Sequence, residues 1–283
     1  MRLALLLAVL LSASPAWADS RLKVVATFSI LGDLVREVGG ELVDVTSLVG
    51  PDADAHTYQP KPTDARILST ARLLVSNGLG FEGWIDRLAE AVGFKERRIV
   101  ASAGAAPDTD PHCWQDVACA RRYVANIAEG LAVSDPANAA RYRSRAAQYD
   151  QQLATLDGWI RREIARVPEE RRQVITGHNS FHYFGHAYHV RFSAPRGYST
   201  DSEPTARDVA NLIRQVREQK TKALFIENMT NPALVSEIAR DSGAVVGPRL
   251  YSDALSKPGG PAPTYEAMMR HNVTALVAGM QKN

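Results

Sequence analysis

The sequence predicts an α/β protein: two lobes, each a mostly parallel sheet flanked by helices, joined by one long backbone helix. Three observations carry that prediction. Strand-like and helical segments alternate up to the run "RRIVAS"; strand character then nearly vanishes between Asp135 and Val167; and the alternation resumes after it. Such alternation marks βα units and a parallel sheet. With 283 residues, the chain is long enough for two compact lobes.

The elements follow in order. "RLKVVATFSILGDLVREVGG" opens with a strand over Lys23 to Thr27 and continues as a helix over Ile30 to Val38, which Gly39 and Gly40 close. "VDVTSLVG" alternates and is β-branched, so it reads as the next strand. "TDARILSTARLLVSNG" is a helix leading into a strand near Leu73 to Asn77; "GWIDRLAEAVG" is a helix and "RRIVAS" a strand. From Asp135 onward the apolar residues Tyr142, Ala146, Tyr149, Leu153, Leu156, Ile160 and Ile164 recur at helical spacing, with Asp135 as a cap and Pro136 at the first helical position. A helix of about 30 residues reaches about 45 Å, which suits a connection between lobes. Beyond it, "RQVITG" is a strand, "NSFHYFGHAYHV" a helix, "EPTARDVANLIRQVREQ" a helix, "KALFIE" a buried strand, "NPALVSEIARDSG" a helix, "AVVGPRLY" a strand and "TYEAMMRHNVTALVAGMQ" the terminal helix. The division expected is 1–18 as signal peptide, 19–134 as the N-terminal lobe, 135–168 as the linking helix and 169–283 as the C-terminal lobe.

Composition narrows the function. The chain is 45% hydrophobic and 23% charged, ordinary for a soluble globular protein, and its formal charge of +2 lacks the basic excess of a nucleic-acid binder. "MRLALLLAVLLSASPAWADS" has a basic Arg2, an apolar run from Leu3 to Leu11 and the small-residue site Ala16-Trp17-Ala18. That is the pattern of a cleaved secretory signal, too short to span a bilayer. No cysteine follows the cleavage site, which argues against a lipid anchor there, so the expectation is a soluble periplasmic protein. The two cysteines, Cys113 and Cys119 in "PHCWQDVAC", can pair in an oxidising compartment. If "WQDVA" opens a helix at its first residue, that geometry becomes demanding, so both states stay open.

Seven histidines are present. His56, His112 and His178 lie at or after strand ends, as does Asp253 in "LYSDALS". Ligands of open α/β sheets gather outside the carboxyl ends of strands. Two of the four precede the long helix and two follow it, so a cleft between lobes would collect them. Three imidazoles and a carboxylate suit a borderline divalent ion. Taken singly, each histidine is more often a loop or core residue than a ligand. Within "HNSFHYFGHAYHV", His182, His186 and His189 either face water while the aromatics face the core, or build a weaker second metal site with His178. Asp54 is a candidate acceptor for an imidazole N–H or a turn residue, and Glu227 and Asn228 are candidates to orient His178 or Asp253. Arg207 and Asp208 read as an exposed helix face, and His271 as solvated or capping.

The segments "VVATFSILGDLVREVGG", "DADAHTYQPKPTDARIL", "DPHCWQD", "ITGHNSFHYFGHAY", "EPTARDVANLI", "ALFIE" and "LYSDALS" together resemble the cluster A-I zinc and manganese receptors of bacterial ABC transporters. The resemblance spans nearly the whole mature chain in family order. It implies that His56 of the D-x-H-x-Y-x-P loop, His112 of DPHxW, His178 and Asp253 are the metal ligands. Manganese members usually carry glutamate at the third position and zinc members histidine, so His178 implies zinc; imidazole favours zinc where oxygen suits manganese. One feature departs from the family. Many zinc members have a long histidine-rich loop between the first two ligands, whereas "RIVASAGAAPDTD" is short and has none. The implied function is capture of Zn²⁺, with Mn²⁺ as the alternative cargo, and delivery to an inner-membrane ABC permease. The implied chain is a monomer, with a periplasmic metallochaperone as a further candidate partner and no nucleic acid. A zinc metallohydrolase is the competing reading, with Asp253 as general base for a metal-bound water.

Overall fold

A computed structural model describes residues 21–106 and 108–283; the signal-peptide segment lies outside the described residues. The first lobe is a four-stranded parallel sheet in the order β2-β1-β3-β4, built from β1 (Leu22–Phe28), β2 (Val43–Val49), β3 (Leu73–Ser76) and β4 (Arg97–Val100). Its crossovers are α1 (Ser29–Gly39), α2 (Pro62–Ser69) and α3 (Ile85–Ala91), and α4 (Val117–Ser134) follows the last strand. β1 is central, with Val25 opposite Thr46 on one side and Leu74 on the other. That position explains its unbroken apolar run, since a strand covered on both faces has no reason to alternate. The chain leaves β1 for one neighbour and then crosses to the other, so a crevice opens at the carboxyl ends of the strands.

The long helix α5 (Ala139–Ala165) has 27 residues, which span about 40 Å. Its buried residues are the seven expected from spacing: Tyr142, Ala146, Tyr149, Leu153, Leu156, Ile160 and Ile164. It starts later than the expected Asp135. Pro136–Asn138 form a tight 3₁₀ turn instead, and the Asp135 carboxylate accepts from Asn138 Nδ2 and the Tyr142 hydroxyl rather than from a backbone N–H.

The second lobe repeats the plan. β5 (Gln173–Ile175), β6 (Arg191–Ser193), β7 (Ala223–Leu224) and β8 (Val245–Val246) form a parallel sheet ordered β6-β5-β7-β8. They are joined by α6 (His182–Tyr188), α7 (Ala206–Gln219) and α8 (Ala233–Ser242), and α9 (Tyr265–Met280) ends the chain. The strand expected over "KALFIE" shortens to two ladder residues, after which Glu227 bridges to Leu250. β6 and α4 lie in stretches to which the sequence patterns assigned no element. α9 is a second connection between the lobes. At its start Tyr265 N donates to Asp33 of α1 and Tyr265 Oη to the Trp114 carbonyl, while just past its end Asn283 bonds Lys222 and Gln173 of the second lobe. One apolar core runs through both lobes along these helices, and a small satellite around Leu212, Leu224 and Ile238 lies beneath α7 and α8.

Candidate metal centre

Each of the four sequence candidates lies beyond the carboxyl end of a strand: His56 after β2, His112 after β4, His178 after β5 and Asp253 after β8. The structure brings them together. One ligand atom from each falls within 4.8 Å of the others. His56 Nε2 is 3.3 Å from His112 Nε2 and 3.5 Å from Asp253 Oδ2; His112 Nε2 is 3.6 Å from Asp253 Oδ1, and His178 Nε2 is 3.1 Å from Asp253 Oδ2. Four donors at zinc bond lengths of about 2.0–2.1 Å around one point have tetrahedral edges of about 3.3 Å. These spacings therefore suit a single small cation.

Two of the imidazoles are aimed by buried carboxylates. Asp110 Oδ1 lies 2.7 Å from His112 Nδ1 and also accepts the His112 backbone N–H at 3.0 Å. Glu227 Oε1 lies 3.0 Å from His178 Nδ1, and the Glu227 carboxylate accepts the backbone N–H groups of Gly177 and His178. Gly177 is required for that approach, because a Cβ there would sit 2.4 Å from Glu227 Oε2. With Nδ1 donating to the carboxylate, the Nε2 lone pair faces the centre. The T-shaped contact of the His56 ring with Phe81, 4.5 Å between centroids, packs the third imidazole.

The Asp253 loop is held from the opposite lobe. Trp114 Nε1 and Gln115 Nε2 donate to the Ser252 carbonyl at 2.9 and 2.8 Å. Both side chains follow directly on His112, within a turn closed by the Cys113–Cys119 disulfide, whose Cα atoms are 5.7 Å apart. The geometry that a helix through "WQDVA" would have made demanding is met because the helix starts only at Val117. Extended backbone at Asp116 separates α4 from a short 3₁₀ turn over Cys113–Gln115.

The electrostatics are those of a cation cage. Burial alone would raise the Asp253 carboxyl, yet His178 and His112 facing it hold it well below the usual carboxylate range. Burial alone would lower His178, but Asp253 and then Glu227 outweigh it and lift its pKa to about 10. His112 stays depressed, because its burial outweighs the attraction of Asp253 and Asp110. His178 Nε2 and both Asp253 oxygens are buried and face only one another and the other two imidazoles. One buried carboxylate converging with three imidazole nitrogens, with no other polar group in reach, suits a cation shared among them.

The remaining candidates sort clearly. Glu227 orients His178, while Asn228 donates to Asp52 and to the Ala254 carbonyl. Asp54 does not touch an imidazole; its Oδ1 accepts the His56 backbone N–H. Asp208 belongs to a capping box with Thr205 at the start of α7, beyond the plain exposed face expected of it. His271 Nε2 donates to the Arg249 carbonyl. His182, His186 and His189 are exposed while Phe181, Phe184 and Tyr188 are buried, and among the described residues the four-residue cluster is the one metal-competent group found. Asp110 went unmarked in the sequence, although it stands in the quoted "DPHCW" segment two residues before a candidate ligand.

Comparison with known proteins agrees with this architecture. The family model described as zinc-uptake complex component A, periplasmic, matches residues 24–279. The manganese-binding lipoprotein MntA of Bacillus subtilis is 32% identical, covering 93% of this chain and 91% of its own. The iron-binding protein YfeA of Yersinia pestis is 28% identical, with 96% and 90% covered. Among solved structures, the periplasmic zinc-binding protein TroA from Treponema pallidum superposes with a TM-score of 0.87 at 30% identity, covering 92% of this chain and 99% of that one. With this sheet order, these two bridging helices and this extent of similarity, the chain belongs to the ZnuA family, within the cluster A-I metal-binding solute receptors of ABC transporters.

Proposed function

We propose that the chain captures Zn²⁺ between its lobes through His56, His112, His178 and Asp253 and hands it to an ABC permease in the inner membrane. The observation that carries this reading is the convergence of three Nε2 atoms with both oxygens of a buried carboxylate, at spacings of 3.1 to 3.6 Å. Four protein donors close a tetrahedral shell, as carrier and structural sites do, whereas catalytic zinc keeps a position open. That favours a receptor over a hydrolase, and the relatives are named as metal-binding lipoproteins and receptors. Protonated imidazole cannot coordinate, so uptake strengthens as pH rises. On this reading residues 1–18 are a cleaved signal, and the mature chain is a periplasmic monomer that a metallochaperone can load.

Zinc is favoured by the donor set, since three imidazoles outweigh one carboxylate. Manganese is the second reading, supported by the name of the MntA relative and by the second Asp253 oxygen, which offers a fifth donor. The test is competition titration of metal-free protein with both ions, joined to elemental analysis of the purified protein. One zinc per chain, retained against manganese at equal free concentration, is expected. Retention of manganese instead would reverse the choice of cargo.

A further inference from the structure

The four candidate ligands are not held by their own lobes alike. His112 is positioned from within the first lobe, by Asp110 and by Asn77, whose Nδ2 donates to the Pro111 carbonyl at 2.9 Å. His178 is positioned from within the second lobe, by Glu227. His56 is different. It rides on the loop after β2, which its own lobe holds through Trp84 Nε1 donating to the Ala55 carbonyl at 2.9 Å, Tyr58 Oη donating to Asp64 Oδ2 at 2.8 Å and the Phe81 ring against His56. The residues beside it are held across the cleft. Thr200 Oγ1 donates to Asp54 Oδ2 at 2.7 Å, while Asp54 Oδ1 accepts the His56 backbone N–H at 2.8 Å. Asn228 Nδ2 donates to Asp52 Oδ1 at 2.9 Å, and Asp52 N donates to the Leu255 carbonyl at 3.0 Å. Asp52 has a φ of 55°, a left-handed turn that aspartate tolerates better than most residues.

The groups reaching over are themselves tied to the other ligands. Asn228 follows Glu227 and also bonds the Ala254 carbonyl beside Asp253. The Thr200 segment is joined to the His178 segment by a bridge between His178 and Arg196 and by Asn179 N donating to the Gly197 carbonyl at 3.1 Å. Arg196, its side chain only 8% exposed, pairs with Glu203 of the same segment.

We infer that Thr200 and Asn228 are positioning residues for the cation site, setting His56 from the opposite lobe through Asp54 and Asp52. Juxtaposition of the lobes and completion of the ligand set are then one event, and His56 is the ligand that departs first on release. Thr200, the less buried of the two, is the end of the link that opens most readily. The inference rests on the four residues binding a metal, as proposed above.

The experiment is release of Zn²⁺ from the loaded protein into excess chromophoric chelator, followed by stopped flow. Thr200→Val removes the donor while keeping the shape, and is expected to speed release roughly tenfold, the usual effect of losing one hydrogen bond to a charged acceptor. Thr200→Ser keeps the hydroxyl and is expected to restore slow release. In a His56→Ala background, where Zn²⁺ is held more weakly, Thr200→Val is expected to change nothing further, because its effect passes through His56. Asn228→Ala, which also frees the Ala254 carbonyl beside Asp253, is expected to speed release as well and to keep part of that effect without His56. Release from Thr200→Val at the unsubstituted rate, or an equal acceleration with and without His56, would overturn the inference while leaving zinc capture standing. Failure of the unsubstituted protein to take up Zn²⁺ would overturn both.

Discussion

Asp110 and Glu227 do the same work in different lobes: each accepts from the Nδ1 of one histidine and a neighbouring backbone N–H, so ring and loop are fixed together. Glu227→Gln removes the charge and sets an amide NH₂ against the Gly177 N–H. Outer partners of this kind typically contribute 10–100-fold in metal affinity, so a loss of roughly that size is expected in chelator competition. Affinity unchanged by the substitution would show that the carboxylate only supports the backbone. A second buried carboxyl acts on stability instead. Asp33 accepts the Tyr265 N–H, and its burial raises its pKa from 3.8 to about 6. The folded chain thus holds this proton more tightly than the unfolded chain. The resulting stability is fully present below 3.8 and is lost as pH rises through about 6. Asp33→Asn should therefore flatten the decline across that window and stabilise the protein at neutral pH, by on the order of 2 kcal/mol. Urea unfolding of both proteins at several pH values measures it, and parallel pH curves would contradict the assignment.

At the scale of elements, the turn between β4 and α4 carries most of the specialised geometry. His112, the disulfide, and the Trp114 and Gln115 donors to Ser252 fall within eight residues of one another. The disulfide joins residues 6 apart in sequence. Chain-entropy reasoning assigns so small a loop about 2 kcal/mol. Replacing Cys113 and Cys119 together by serine should lower the melting temperature by a few degrees in calorimetry. It should also weaken metal binding, because the turn it closes starts at the residue after His112. An effect on melting with no effect on binding would assign the bridge a purely structural role.

Over the whole molecule, two helices cross between the lobes. α5 buries an apolar stripe along its length, and α9 is bonded to the first lobe at its start and to the second at its end. A single apolar core lies between them. Wide hinge closure would have to tear that core, so metal exchange is expected to proceed by loop movement at the cleft. Small-angle X-ray scattering should give the same radius of gyration, within error, for metal-free and loaded protein; a clear contraction on loading would argue for a hinged clamp.

Much of this protein was legible in one dimension. The α5 stripe was read residue by residue, because seven apolar positions at helical spacing leave only one face to bury. The parallel sheets followed from alternating periodicity, and the convergence of His56, His112, His178 and Asp253 from loop placement and family resemblance. Short-range pattern could not supply β6 or the late start of α6, since three-residue strands and seven-residue helices take their stability from neighbours rather than from their own sequence. Nor could it supply the partners of Asp54 and Asn228, which lie 146 and 176 residues away. Sequence determined which side chains are available to hold a cation. Tertiary structure decided how they are aimed, because a hydrogen bond between loops of different lobes exists only once both sheets have folded and two long helices have set them face to face.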